Sequence, residues 1–174
     1  MSSLNRQSLG EEIANAVSHG IGALLAVLGT VVLIVYASYN SSVSGIVSAA
    51  IYGFCLIFLY LMSTIYHAIT NSTAKKIFQV LDHCSIFLLI LGSYVPICIV
   101  LLGWKLLGIN LLLTVVGITL NAISLSRWEK LSLLMYVLMG WSVIIALPYL
   151  WKMLPADGLM LLVSGGLAYT IGIF

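Results

Sequence analysis

Charge is nearly missing from this sequence. Lysine, arginine, aspartate and glutamate make up 7% of its 174 residues, and the formal net charge is only +2. A soluble domain normally carries about a quarter charged residues, so 7 basic and 5 acidic side chains cannot cover the surface of a water-soluble globule of this size. A soluble enzyme, a nucleic-acid binder and a disordered chain are excluded together, and the slight positive balance is too small to imply an anionic polymer as partner. The cysteines (Cys55, Cys84 and Cys98) form neither a CxxC pair nor a disulfide framework and read as small apolar fillers.

Hydrophobic residues are what remains: 62% of the chain, with a mean hydropathy of +1.18. No Lys, Arg, Asp or Glu occurs from Ile13 to Ala74. That run is too long for a signal peptide, and acids (Glu11, Glu12) rather than bases precede it. A bilayer core about 30 Å thick takes roughly 20 apolar helical residues per crossing, and only helices or closed barrels satisfy their backbone there. The continuous apolar runs lack the alternation of barrel strands. The expected fold is an all-α, polytopic transmembrane helix bundle.

Polar links divide the chain into six predicted spans, at about 16–38, 46–69, 80–100, 106–125, 132–150 and 158–174, within one integral membrane domain over 1–174. The sixth carries Gly165, Gly166 and Gly172 and has no basic cluster at its far end, which reads as a fragment of something longer. Arg6, Lys75, Lys76, Arg127 and Lys130 fall on one side of such a bundle, and Lys105 and Lys152 on the other. Basic residues collect on the cytoplasmic side, so the amino terminus is expected in the cytoplasm.

Ionisable groups inside a membrane are costly and mark functional sites. Glu12 and His19 are seven residues apart, and Asn15 lies four before His19, which places the three near one stripe of the first helix. Glu11 has another reading, as the partner of Ser8 in a capping box. Ser63 and His67, four apart, share a face of the second helix. His67 beside Tyr66 also reads as an interfacial pair. Asp82 opens the third span, where the helix dipole favours an acid, and His83 points away from it by one residue's rotation. The start of the first span, the end of the second and the start of the third all belong to one leaflet. Glu12, Asn15, His19, Ser63, His67 and Asp82 are therefore expected to meet in one pocket within the bundle. One imidazole and one carboxylate fit a metal with water or an acid–base pair, but catalytic zinc usually takes three protein ligands, and no HExxH or paired-histidine motif is present.

At these residues the sequence resembles the hemolysin III branch of the PAQR (progestin and adipoQ receptor) family. The resemblance runs through Glu11-Glu12-Ile13-Ala14-Asn15-Ala16-Val17-Ser18-His19-Gly20, Tyr52-Gly53, Ser63-Thr64-Ile65-Tyr66-His67-Ala68, Leu81-Asp82-His83, Gly92-Ser93-Tyr94-Val95-Pro96, Met139-Gly140-Trp141 and Gly165-Gly166-Leu167-Ala168-Tyr169-Thr170. It implies a seven-helix bundle with a cytoplasmic amino terminus and a zinc site near the cytoplasmic face. Carried over, His67 is the zinc ligand, Asp82 holds the metal-bound water and Ser63 is its neighbour. The HxxxH pair that completes the site in the seventh helix of the wider family is absent here, and this chain ends where the sixth helix is expected.

The expected function is that of a cell-membrane protein of this family serving membrane homeostasis, with zinc-dependent hydrolysis of a lipid amide or ester as its chemistry and membrane lipids as its partners. The alternatives are a pore-forming cytolysin and a non-catalytic sensor or receptor. A wide pore needs a polar stripe along several helices, which the first, fourth and sixth spans lack, although an oligomer could build one.

Overall fold

The computed structural model of the protein describes residues 7–100 and 103–173. Its elements are α1 (Leu9–Asn40), α2 (Val43–Ala68), α3 (Ser72–Val100), α4 (Trp104–Trp141), a 3-10 turn (Ser142–Ala146), α5 (Leu147–Met153) and α6 (Ala156–Ile173). Ser8 and Glu11 start α1 with the expected capping box. Glu11 N–H donates to Ser8 Oγ at 3.3 Å, and Ser8 N–H donates to the Glu11 carboxylate at 2.6 Å. Asn71 starts α3, its side-chain oxygen accepting from the N–H groups of Thr73 and Ala74. At 1.5 Å per residue, the 32 residues of α1 span about 48 Å, well beyond the roughly 30 Å hydrocarbon core. Its first turns, with Glu11 and Glu12, therefore reach the bilayer edge.

The chain is helical and multi-pass, but the expectation of six spans is not met. Among the described residues, four helical stretches are long and apolar enough to cross a bilayer: Leu9–Asn40, Val43–Ala68, Ser72–Ile99 and Trp104–Met153. The predicted fourth and fifth spans fall in the last of these. Arg127-Trp128-Glu129-Lys130 was expected to separate them, yet all four residues are helical. They include neither Gly nor Pro, and polarity alone does not interrupt backbone hydrogen bonding. The interruption lies earlier, at Ser124, whose backbone (φ −164°, ψ 99°) is extended. There the element doubles back: Ser132 Oγ donates to Asn121 Oδ1 at 2.6 Å, and Asn110 Nδ2 to Ser142 Oγ at 3.1 Å. The predicted sixth span is a shorter apolar helix, Ala156–Gly172.

Each long helix packs on its neighbour in sequence, α1 on α2, α2 on α3 and α3 on α4, and α6 packs on α4. Between lipid-embedded helices association rests on close packing and hydrogen bonds rather than on the hydrophobic effect. The core gathers Phe87, Ile90, Tyr94, Cys98, Met135, Tyr136 and Met139. Phe87 is wholly buried and lies against Gly117, where an added Cβ would run into its ring. Tyrosine hydroxyls tie the helices: Tyr136 donates to His83 O at 2.8 Å, Tyr169 to Tyr136 O at 2.8 Å and Tyr94 to Met139 O at 2.7 Å. Leu24, Leu28 and Val32 on α1 face outward, as lipid-contacting residues should. All three cysteines are free and buried.

Candidate functional site

The beginning of α1, the end of α2 and the beginning of α3 meet at one end of the bundle. His67, in the last turn of α2, donates from Nδ1 to Glu12 Oε2 at 2.8 Å. The other carboxylate oxygen of Glu12 lies 3.0 Å from Lys75 Nζ, in the first turns of α3. The His67 side chain is 7% exposed and that of Glu12 17%, so the pair lies inside the bundle and away from lipid. A carboxylate buried this far is costly unless paired and hydrogen-bonded, and here both its oxygens have partners.

One turn-pair deeper, His19 Nδ1 and Ser63 Oγ are 2.6 Å apart, and Ser63 is 3% exposed. Which of the two donates is set by the His19 tautomer: with the ring proton on Nε2, Nδ1 accepts from the Ser63 hydroxyl. The His19 and His67 rings stand edge to face with centroids 5.9 Å apart, and Tyr60 packs on the other edge of His19 at 5.9 Å. The two pairs thus form one continuous polar group across α1 and α2.

Asp82 and Asn15 stand differently. The Asp82 carboxylate, 16% exposed, lies 3.6 Å from His83 Nδ1 on its own helix. His83 Nδ1 donates to Gln79 O at 2.9 Å. The Asn15 side chain, half-buried, turns instead to Gln7, Nδ2 donating to Gln7 Oε1 at 3.2 Å, and makes no hydrogen bond to the side chains of the other five among the described residues.

Lys75 is the member that sequence reasoning passed over, counting it only as a loop charge. Besides Glu12 it meets Tyr66, donating to its carbonyl at 3.1 Å and standing 5.0 Å over its ring. The signal was present: Asn71 is a legible N-cap, and a lysine in the first turns of the helix that follows is disfavoured by the dipole unless an acid answers it.

Among the described residues, no group of three or more His, Cys, Asp or Glu is placed to hold a metal ion. His67 has the carboxylate partner on one ring nitrogen that metal-ligating histidines commonly have. Yet His67 and Asp82 are at most two ligands where catalytic zinc takes three, so these residues alone do not fit a zinc centre.

The Haemolysin-III related family matches residues 7–174 of the chain. Hemolysin-3 of Bacillus cereus is 40% identical over 170 residues, covering 95% of this chain and 78% of that protein. The Hemolysin-3 homolog of Bacillus subtilis (strain 168) is 40% identical over 169 residues, covering 95% of this chain and 79% of that protein. No solved structure is significantly similar to the chain. A helical fold with several bilayer-length apolar stretches, together with a family match over nearly its whole length, makes the chain a multi-pass membrane protein of the Haemolysin-III related family.

Proposed function

We propose that the chain is a cell-membrane protein with a cytoplasmic amino terminus, acting in membrane homeostasis through hydrolysis of a lipid amide or ester bond. The observation that carries this reading is the His19–Ser63 contact of 2.6 Å, beside the Glu12–His67 pair. A buried hydroxyl donating to an imidazole is the arrangement by which a weak nucleophile is activated. Ser63 Oγ attacks the acyl carbonyl while His19 Nδ1 takes its proton, and the leaving amine or alcohol takes that proton back. Water then releases the acyl group from Ser63 by the same proton path. Glu12 fixes the orientation of the His67 ring, and Lys75 holds Glu12. Asp82 positions water at the mouth of the site.

Zinc belongs to this reading only through the resemblance, which assigns it to His67. The ligands described do not complete its shell. Zinc per chain in purified protein, with His67→Ala and Asp82→Ala beside it, tests that part: loss in His67→Ala supports it, and unchanged content in both ends it.

The enzyme reading is tested with purified chain in liposomes carrying fluorescent ceramide and a fluorescent ester lipid. It predicts acyl release by the wild type, at least about a hundredfold slower in His19→Ala and Ser63→Ala. An entrapped dye in the same liposomes addresses cytolysis, the property in the relatives' name. Dye release by wild type and both variants alike, without acyl release, would replace the hydrolase by a pore.

A further inference from the structure

At the end of the bundle away from the histidines, the last turns of α3, the first turn of α4, the 3-10 turn and α5 surround an open cavity of about 520 Å³. The lining side chains that carry nitrogen or oxygen are Trp104, Lys105 and Tyr149. All three can donate hydrogen bonds, and all three are exposed. None of them enters a hydrogen bond or an ion pair among the described residues. No carboxylate, amide or serine hydroxyl lines the space. A ligand there meets free donors and few side-chain acceptors.

The charge of Lys105 is what selects the ligand. Lys105 is the second residue of α4, a cation at the positive end of a helix dipole. Lys75, in the first turns of α3, is answered by Glu12, whereas no acid among the described residues answers Lys105. The polar links at this end of the bundle hold Lys105, Lys152 and Asp157 as their charged residues, a positive balance. Lys152 follows Tyr149 by three residues on α5, which places it on the same face. A phosphate offers only acceptors and is held by a cation with further donors, the set this lining supplies. Ile97, Leu106 and Ile145 form an apolar wall of the same space, suited to the first carbons of an acyl chain. Tryptophan and tyrosine beside it are at home at the bilayer interface, so the anion that fits belongs to a lipid. We infer that this cavity binds an anionic phospholipid, one whose headgroup carries no cation of its own, with its phosphate paired to Lys105. The site is separate from the imidazole–carboxylate group and does not depend on the function proposed for that group.

The test uses the full chain in phosphatidylcholine bilayers containing a trace of phosphatidylglycerol with a diazirine at the head of one acyl chain, and in parallel a phosphatidylcholine with the same diazirine. The phosphatidylglycerol probe should label peptides covering 103–109 and 145–151 about fivefold more than the phosphatidylcholine probe does, the ratio that about 1 kcal/mol for one lysine near an anionic surface gives. Lipid-facing α1, around Leu28, should be labelled equally by both. Lys105 is exposed, so its variants should fold. Lys105→Gln should remove the excess, and Lys105→Arg, which keeps the charge, should retain it. Equal labelling of the cavity peptides by the two probes, an excess that survives Lys105→Gln, or one that is lost in Lys105→Arg overturns the proposal. Loss of the excess when inorganic phosphate replaces chloride at equal ionic strength also overturns it, by assigning the cavity to a soluble anion.

Discussion

Glu12 Oε2 accepts the His67 Nδ1 proton at 2.8 Å, joining two residues 55 positions apart in the chain. The same carboxylate reaches Lys75 at 3.0 Å, so a single acid pins the beginning of α1 to the end of α2 and the beginning of α3.

Replacing Glu12 by Gln keeps the shape and removes the charge. Hydrogen bonds to charged groups are worth about 1.5–3 kcal/mol, so thermal unfolding of the purified protein should show a loss of about that size. Lys75→Met should cost less, and the double variant should fall short of the sum of the two. Full additivity would show that the pair is not coupled.

Tyr136→Phe removes the donor to His83 O without opening a cavity. Interhelical hydrogen bonds in membranes average about 0.6 kcal/mol, so the expected loss is small, with the fold retained. Because the bond removed is to the His83 carbonyl, amide exchange should rise around His83 and in the turn that follows it in α3, and remain unchanged in α1.

Gly117→Leu places side-chain atoms where the Phe87 ring already is. Overpacking typically costs about 1–3 kcal/mol. Pairing it with Phe87→Ala, which clears the space, should recover part of the loss. A double variant as unstable as the sum of the two would show that the two residues do not touch.

The site was legible in part because helical spacing is rigid. Separations of four from Ser63 to His67 and seven from Glu12 to His19 put each pair on one face, and chain reversal brought those faces to one end of the bundle. Spacing does not fix side-chain direction, however, so Asn15, on the same stripe, turns instead to Gln7. Lys75 was obscured because positive residues beside a membrane span are ordinary, and only its place after an N-cap set it apart. In the fold, apolar runs located the first three long helices. The fold-back at Ser124 was misplaced because the sequence around Arg127 reads as a polar link, whereas its residues are all compatible with a helix and the backbone breaks three residues earlier.

The central claim is that a carboxylate from α1 and an imidazole from α2 meet inside the bundle. Magic-angle-spinning NMR of the protein in lipid bilayers, with carbon-13 glutamate and nitrogen-15 histidine, measures it directly, since the chain has only 3 histidines and 5 acidic residues to assign. The account predicts a strong dipolar contact between the Glu12 carboxylate carbon and His67 Nδ1, lost in His67→Ala while the His19 and His83 signals persist. A folded protein in bilayers without that contact would contradict it.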